Sequence, residues 1–324
     1  DDGEAVYDSL NKVLLVDMDG SGTLGGANDL FINAATVAAT DINYVLDTTA
    51  GTYTVTTGGG ADTVTVDAGS VTSLAMGTGI DTLANTVGDL DLTGKVFSGV
   101  EKITTTENED VKIDEADLAT NVLTNVTGVA GNAVELFTVV AGATAAVDLS
   151  GITMLNATAV INAGDMTTAV ITTADTYTGT SATNDILTMG AETTATGAVV
   201  DDMVGIENIV VTANSIAAEV AKLTLTYTTA NTDAVKIDAS ALTNGSAIFT
   251  FIGSDAQVGG ALTIIGGAAA DIITGGVGDD TITGGAIADT LLGGAGKDTF
   301  VFAPKCIARG VEQKDMPRRG LRFW

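Results

Sequence analysis

Histidine is absent from this chain, and cysteine, tryptophan and proline are almost absent. Without histidine, neither a Ser–His–Asp nor a Cys–His catalytic arrangement can form, and the usual His-ligated zinc sites are excluded. The single cysteine, Cys306, has no partner for a disulfide within the chain. Aromatic residues make up only 4%, too few to favour a sugar-binding platform. We therefore expect no enzymatic activity, and a polysaccharide-active extracellular enzyme is the least favoured alternative.

Positive charge is also scarce. The chain has 13 Lys and Arg against 41 Asp and Glu, which gives a formal net charge of −28. Affinity for nucleic acid comes from basic side chains, so nucleic acid is excluded as a partner, and an anionic membrane surface is excluded for the same reason. No apolar run reaches the length needed to span a bilayer, so we expect no membrane insertion.

Glycine, threonine and branched apolar residues are abundant instead. Forty glycines accompany a hydrophobic fraction of 45%, which is too apolar for a disordered acidic chain. β-Branched residues favour strands, and glycines permit the tight turns between them. This composition predicts an all-β protein of short strands, whose many carboxylates a multivalent cation would neutralise.

The two ends of the chain differ from the rest. The start, Asp1-Asp2-Gly3-Glu4, lacks the basic region of a signal peptide, so we expect a processed product, a fragment, or cargo exported through a C-terminal signal. Residues 304–324 hold both prolines, the cysteine, the only tryptophan and all four arginines. This basic tail is interpreted either as a vector-derived or frame-shifted sequence, or as an anchor or secretion signal.

A nine-residue repeat runs four times without interruption from residue 266 to residue 301. Each unit opens with Gly-Gly, has aspartate at its sixth position and has a large apolar residue at its eighth. Six residues can form a turn that presents carbonyl and carboxylate oxygens, the ligands that Ca²⁺ prefers, and three can form a short strand. We expect the eighth-position residues to point inward and build an apolar core: Ile273, Ile282, Leu291 and Phe300.

These units resemble the repeats-in-toxin (RTX) family, in which such repeats form a parallel β-roll. The resemblance implies Ca²⁺ between turns on the same side, two units or 18 residues apart, which pairs Asp271 with Asp289 and Asp280 with Asp298. At the fourth position, Ala269 and Ile287 replace glycine, and we expect weaker binding there. A metal-free glycine-rich turn is the alternative. The ligand residues that the resemblance implies in the array are Asp271, Asp280, Asp289, Asp298, Gly267, Gly276, Gly278, Gly285, Gly294 and Gly296.

Partial copies of the unit lie upstream. Asp62 and Asp81 each follow a glycine-rich stretch and precede a Thr-Val or Thr-Leu pair, so each belongs to a metal site or to a plain turn. Near the N-terminus, Asp17, Asp19 and Ser21 resemble the first positions of an EF-hand loop, but the twelfth position is Asn28 instead of glutamate. A weak Ca²⁺ site and an acidic turn both fit that segment.

A longer repeat precedes the array. Residues 80–103 and 184–209 share the order Asp-x-Leu followed by Gly-x-Glu-x-Ile, and each continues to a Val-Lys-Ile-Asp segment. We expect Val111–Leu118 and Val235–Leu242 to occupy equivalent strand positions, with Val147-Asp148-Leu149-Ser150 as a weaker third copy. Glu101 and Glu207 are interpreted as turn carboxylates, with a role as metal ligands as the less favoured alternative.

The same modules resemble the bodies of surface-layer proteins and large adhesins exported by type I secretion. Short helices are predicted at residues 6–16 and after Asn214. The predicted fold is an all-β parallel solenoid that ends in a calcium β-roll. The predicted segments are an N-terminal part at 1–50, an irregular β-solenoid at 51–255, the RTX β-roll at 256–303 and the tail at 304–324.

The predicted function is a calcium-dependent structural protein that assembles with itself on the bacterial cell surface. An adhesin module of a larger secreted protein is the alternative. The expected partners are further copies of the chain and cell-surface polysaccharide, and the expected cofactor is Ca²⁺.

Overall fold

A computed structural model describes most of the strand-forming residues of the chain. The residues described are 5–8, 13–16, 30–34, 43–47, 52–56, 59–66, 71–85, 88–105, 109–129, 135–142, 146–165, 176–182, 184–191, 198–201, 203–213, 220–226, 234–253, 260–302 and 321–322. They are almost entirely β-strands and turns, as the composition predicts. None of the helices in these ranges is long and apolar enough to cross a membrane.

The chain divides into two compact units. The first comprises residues 1–140, 151–160 and 180–182, and the second comprises residues 141–150, 161–179 and 183–324. The elements of the first unit are β1 (Ala5–Asp8), β2 (Val13–Val16), β3 (Leu30–Ala34), β4 (Asn43–Asp47), β5 (Thr52–Thr56), β6 (Asp62–Val66), β7 (Val71–Ala75), β8 (Thr82–Asn85), β9 (Leu90–Asp91), β10 (Val96–Ser98), β11 (Lys102–Thr105), β12 (Val111–Asp114), α1 (Glu115–Thr120), β13 (Asn125–Thr127), β14 (Glu135–Val140) and β16 (Thr153–Leu155).

The first unit changes from antiparallel to parallel pairing along the chain. One sheet has the order β1-β2-β3-β6-β8-β11-β13-β16, with antiparallel pairs up to β6 and parallel pairs after it. A second sheet has the order β10-β7-β5-β4, and β9, β12 and β14 form a third parallel set. The helix predicted at residues 6–16 is therefore wrong, since β1 and β2 pair there as antiparallel strands.

Parallel stacking aligns apolar side chains into columns. Val64, Leu83 and Ile103 are partners on adjacent strands, and none of the three has exposed surface. Burial alternates along these short strands because successive side chains point to opposite faces. Each fully buried side chain of this type contributes about 1.5–3 kcal/mol, so the column stabilises the stack of coils.

The second unit continues the parallel architecture. Its elements are β15 (Ala146–Asp148), β18 (Thr176–Thr178), β19 (Ile186–Gly190), β20 (Ala198–Asp201), β21 (Asn208–Thr212), β22 (Val220–Thr226), β23 (Val235–Asp238), β24 (Ile248–Ile252), β25 (Leu262–Ile265), β26 (Ile272–Val277), β27 (Thr281–Thr283), β28 (Thr290–Ala295), β29 (Thr299–Val301) and β30 (Leu321–Arg322), while β17 (Ala157–Asp165) has residues in both units.

Two parallel sheets alternate along the sequence of this unit. One follows the order β19-β21-β23-β25-β27-β29, and the other follows β20-β22-β24-β26-β28, with β30 antiparallel at its end. Each coil thus gives one strand to each sheet, which is the architecture of a parallel solenoid. The fold class predicted from the sequence is confirmed.

The longer sequence repeat is confirmed in its first half. In the first module β8 pairs with β11, and in the second β19 pairs with β21, so the Asp-x-Leu strand lies beside the Gly-x-Glu-x-Ile strand in both. The glycine of each second segment has a positive φ, +73° at Gly99 and +63° at Gly205. A Cβ at Gly99 would collide with the carbonyl oxygen of Met76 on the neighbouring coil, so glycine is required there.

The second half of that repeat is corrected. Both Val-Lys-Ile-Asp segments are strands, but β12 pairs with β9 and β14, whereas β23 pairs with β21 and β25. Leu118 lies in helix α1, whereas Leu242 lies in a turn. Val111 follows Glu101 by 10 positions and Val235 follows Glu207 by 28, which leaves room for the additional strand β22 in the second module.

The remaining local predictions have mixed outcomes. The third copy is a strand as expected, because β15 includes Val147 and Asp148. The sequence predicts a helix from Asn214 to Lys222. Its last residues belong instead to strand β22, so that part of the prediction is wrong. Residues 214–219 lie outside the described ranges. Helix α1 was missed: Asp114 and Asp117 form a reciprocal capping box at its start, with Asp117 in the place usually held by glutamate or glutamine.

Candidate calcium-binding turns

The four nonapeptides form consecutive half-coils, and units two apart lie side by side. Strand β26 pairs with β28 so that Ile272 faces Thr290, and β27 pairs with β29 so that Thr281 faces Thr299. Both pairs are separated by 18 residues, which is the same-side spacing that the resemblance implies.

The eighth-position residues build the core of these half-coils, as predicted. Ile273 and Ile282 have no exposed surface and Leu291 is almost fully buried, whereas Phe300 on the last strand is half-buried. The apolar position therefore fixes which way each strand faces, and the turns are left at the edges of the sheets.

The aspartates form a ladder from coil to coil. The backbone N–H of Asp271 donates to Oδ1 of Asp289 at 3.0 Å, and that of Asp280 donates to Oδ1 of Asp298 at 3.2 Å. The same arrangement continues to the preceding coil, where Phe249 and Leu262 donate backbone N–H groups to Asp271 and Asp280 at 2.9 and 2.8 Å. The structure thus brings together both aspartate pairs inferred from the sequence.

The predicted glycines also stack in pairs 18 residues apart. Gly285, Gly294 and Gly296 have φ values of +114°, +103° and +121°. A Cβ at these positions would collide with the carbonyl oxygens of Gly267, Gly276 and Gly278, respectively. Because these glycines approach so closely, the carbonyl oxygens of one turn lie against the next turn on the same side. The aspartate carboxylates lie at the same turns.

Burial changes the chemistry of the aspartates. Asp271 and Asp280 are each only 1% exposed, and burial raises the pKa of each to about 6, with a smaller contribution from the neighbouring Asp289 or Asp298. Burial also raises the pKa of Asp289. Backbone N–H donors oppose these shifts without cancelling them.

The donor set of the array fits Ca²⁺. Among the described residues, the buried Oδ2 of Asp280 accepts no hydrogen bond, which leaves a carboxylate oxygen that a cation would satisfy. Within the described ranges, no three His, Cys, Asp or Glu side chains cluster as a metal site, so backbone carbonyls must complete the six to eight oxygen ligands of Ca²⁺. Asp271 with Asp289, and Asp280 with Asp298, would hold separate ions together with the stacked glycine carbonyls.

The two departures from glycine at the fourth position have different structures. Ala269 is fully buried, whereas Ile287 is 64% exposed and has a φ of +69°. A β-branched residue rarely adopts that conformation. The turn at Ile287 therefore carries backbone strain.

Comparison with known families agrees with this geometry. The family model of the RTX calcium-binding nonapeptide repeat matches the chain, in four copies, at residues 263–286. This segment is an RTX calcium-binding repeat array. Calcium is accordingly its cofactor, and RTX repeats are typical of secreted proteins. No curated protein and no solved structure matches the chain.

The carboxylate ladder of the RTX array recurs upstream in the first unit. The backbone N–H of Asp62 donates to Oδ1 of Asp81 at 2.8 Å, and that of Asp81 donates to Oε2 of Glu101 at 2.8 Å. Asp62 and Asp81 are buried, and burial raises the pKa of Asp81. Asp62 and Asp81, which the sequence presents as isolated units, are thus neighbours in one stack. Their role as metal ligands stays a prediction.

A further copy of the ladder lies in the second unit. The backbone N–H of Asp185 donates to Oε2 of Glu207 at 3.0 Å, and a Cβ on Gly179 would collide with the carbonyl oxygen of Gly205 and lie 2.7 Å from Oδ2 of Asp185. Glu207, like Glu101, therefore acts as the turn carboxylate that its sequence context indicates. What the sequence did not reveal is that glutamate in a Gly-x-Glu turn substitutes for the aspartate of an RTX turn.

The remaining predicted ligands are those of the N-terminal loop. Asp17, Asp19 and Ser21 lie outside the described residues, so the EF-hand-like loop stays a prediction.

Proposed function

We propose that this chain is a calcium-dependent structural protein that assembles with copies of itself at the bacterial cell surface, outside the cell. One observation carries the proposal: the outward face of strands β24, β26 and β28 in the second unit has no charged side chain. Its residues, which alternate with the buried core positions, are Ile248, Thr250, Ile252, Ile272, Thr274, Thr290 and Leu292.

This uncharged face is apolar where it is most exposed. Ile248, Ile252, Ile272 and Leu292 are each between 40 and 47% exposed. Strand register aligns Ile252 with Thr274 and Leu292 across the three strands. A contiguous uncharged surface of this kind supports protein–protein contact.

Charge explains why calcium would control the contact. A chain with a net charge of −28 repels its own copies, and the turns that flank β26 and β28 hold the buried aspartates of the RTX array. Bound Ca²⁺ neutralises those carboxylates and orders the strands that display the uncharged face. Both effects favour association only when calcium is present.

The buried acidic groups support a structural role over a catalytic one. The carboxylates of Asp81, Glu101 and Glu207 accept backbone N–H groups of neighbouring coils or lie inside turns. Groups used in this way hold coils together and are not directed at a substrate.

Electron microscopy and analytical ultracentrifugation with Ca²⁺ and with chelator test the proposal. We expect ordered sheets or filaments with Ca²⁺ and dispersed chains with chelator. Ile272→Lys should abolish assembly by placing charge on the uncharged face, whereas Val122→Lys should not, because Val122 is exposed in the first unit. Circular dichroism should show that both variants still respond to Ca²⁺.

Other results would favour other functions. Binding to glycan or to a host protein without self-assembly would replace this proposal with the adhesin interpretation. Turnover of a polysaccharide would replace it with an enzymatic one. Unchanged assembly of Ile272→Lys would show that the contact lies elsewhere.

A further inference from the structure

Asp81 in the first unit is placed like Asp280 in the RTX array. The backbone N–H of Asp81 donates to Oε2 of Glu101 on the next coil at 2.8 Å. The backbone N–H of Asp280 donates to Oδ1 of Asp298, which also lies on the next coil, at 3.2 Å. In both turns, the aspartate backbone therefore brings a carboxylate of the following coil to the aspartate.

The side-chain oxygens of these two aspartates are also used alike. Oδ1 of Asp81 accepts the backbone N–H of Asp62 on the preceding coil at 2.8 Å. Oδ1 of Asp280 accepts the backbone N–H of Leu262 at 2.8 Å. Asp81 has no exposed surface, and its Oδ2, like that of Asp280, accepts no hydrogen bond from the residues that the structure describes. A buried carboxylate oxygen without a donor is costly, so both turns favour a cation at this atom.

The backbone on the preceding side of Asp81 leaves the same space as an RTX turn. A Cβ on Gly79 would collide with the carbonyl oxygen of Gly60 and lie 3.2 Å from Oδ1 of Asp81. A Cβ on Gly278 would lie 2.5 Å from the carbonyl oxygen of Gly260 and 3.1 Å from Oδ1 of the aspartate in that turn. In both turns, the lack of a glycine side chain lets a main-chain carbonyl and an aspartate carboxylate approach one point.

The coil that carries Glu101 packs equally closely on the other side. Gly99 has a φ of +73°, and a Cβ there would collide with the carbonyl oxygen of Met76 and lie 3.2 Å from that of Gly77. Main-chain carbonyl oxygens of the Asp81 turn therefore lie against the turn that holds Glu101. Carboxylate and carbonyl oxygens are the ligands that Ca²⁺ prefers.

Among the described residues, no basic side chain balances the charge of this turn. The ion pairs found there join lysines to other aspartates, and none includes Asp81 or Glu101. Burial raises the pKa of Asp81, and the negative charge of Glu101 raises it further. Two carboxylates are enough for a calcium site, because the described part of the RTX array likewise has no cluster of three acidic side chains and relies on main-chain carbonyls.

We propose that Asp81 and Glu101 bind one calcium ion in the first unit, separate from the RTX array. The two carboxylates supply the charge, and main-chain carbonyls of the stacked turns complete the shell. Glutamate takes the place of the second RTX aspartate, in a part of the chain that the RTX family model, which matches residues 263–286, does not cover. The ion ties the Asp81 coil to the Glu101 coil. The competing state is a protonated Asp81 without an ion.

Native mass spectrometry of the full chain, which counts bound calcium ions, tests this site. We expect Asp81→Asn to bind one calcium ion fewer than the parent at saturating Ca²⁺. Asp89→Asn is the matched control. Asp89 also accepts a backbone N–H from the next coil, that of Asp110 at 3.1 Å, but it is exposed to solvent. The ion count of Asp89→Asn should equal that of the parent.

Glu101→Gln separates the role of the charge from that of the hydrogen bond. The amide oxygen of the variant can still accept the backbone N–H of Asp81, so the coils should stay stacked, whereas one negative charge is gone. We expect this variant to lose the same ion at limiting Ca²⁺. An ion count equal to that of the parent in both folded variants, Asp81→Asn and Glu101→Gln, would overturn the proposal and indicate the protonated state.

Hydrogen exchange read by mass spectrometry locates the ion. In the parent, residues 76–85 should be more protected with Ca²⁺ than with chelator. In Asp81→Asn this difference should disappear at residues 76–85 and persist at residues 281–302 of the RTX array. If neither variant folds, the parent alone decides, since equal protection of residues 76–85 with Ca²⁺ and with chelator would overturn the proposal. Neither readout depends on self-assembly, so this site is tested separately from the proposed function.

Discussion

Asp280 shows how one side chain serves both the coil and the ion. Its Oδ1 accepts the backbone N–H of Leu262 from the preceding coil, while Oδ2 accepts no hydrogen bond from the residues that the structure describes. The first contact stabilises the stack with or without metal, and the second leaves a ligand for Ca²⁺. Aspartate suits this position because, from a six-residue turn, its short side chain can direct one oxygen at the preceding coil and the other at the ion.

Ile287 is expected to limit the stability of its turn. Replacing it with asparagine, which tolerates a positive φ, should raise the free energy of unfolding by about 1 kcal/mol, because left-handed backbone costs a β-branched residue about that amount more. Urea denaturation in saturating Ca²⁺ measures the difference. Ile80→Asn is the control, since Ile80 is 58% exposed without a positive φ. Equal effects of the two substitutions would show that the gain comes from removing exposed apolar surface.

Proton binding at Asp271 and Asp280 is expected to oppose calcium binding. Their pKa of about 6 lies above the ordinary 3.8, so the folded array binds protons more tightly than the unfolded chain does. Without calcium, this tighter proton binding stabilises the folded array fully below about pH 4, and the stabilisation is lost as the pH rises through about 6. Calcium affinity should change in the opposite direction and fall below about pH 6, because the ion needs the ionised carboxylates.

Melting in chelator and calcium titration at about pH 4.5 and pH 7 measure both effects. Asp280→Asn should reduce the pH dependence of the melting temperature in chelator, since one of the two titrating groups is removed. A melting temperature in chelator that rises from pH 4.5 to pH 7 would contradict the predicted sign.

At the scale of elements, the sequence predicts what depends on short-range pattern. The nine-residue period specifies β26 to β29, their inward residues and their same-side pairing, because each unit contains its own turn and strand. The Gly-x-Glu segments likewise specify β11 and β21. In all these cases, glycine in a backbone conformation that other residues rarely adopt marks the turn. Alternation of apolar and polar residues marks the strand.

Features that depend on residues farther apart in the sequence were not predicted. The two Val-Lys-Ile-Asp strands have the same sequence but different neighbours, because the chain between turn and strand differs in length. A helix is predicted at residues 6–16, yet residues 5–8 and 13–16 pair with each other as the antiparallel strands β1 and β2, and β2 pairs in turn with β3.

At the scale of the whole molecule, the second unit is a one-dimensional stack in which each coil contacts its neighbours. The column Leu187, Ile209, Ile237, Ile264, Ile282 and Phe300 runs through it with one residue per coil. Stability in such stacks is nearly a sum of coil and interface contributions, so parts of the stack can open separately. Apolar burial is nearly complete from Leu187 to Ile282, whereas Phe300 at the last strand is only half-buried.

Removing calcium should therefore open the second unit from the RTX array and leave the upstream coils closed. The turns of residues 266–298 contain buried carboxylates that lose their counter-ion, and Ca²⁺ stabilises only the folded form of those coils. Hydrogen exchange read by mass spectrometry should show residues 281–302 losing protection in chelator and regaining it with millimolar Ca²⁺, a concentration on the order of that used by extracellular calcium modules. Residues 203–213, whose Ile209 and Val211 are fully buried, should change far less. Asp280→Asn should weaken the recovery in the first segment and not in the second. Equal loss of protection in both segments would mean that the unit unfolds as one cooperative body, and calcium would then stabilise the whole stack and not its last coils.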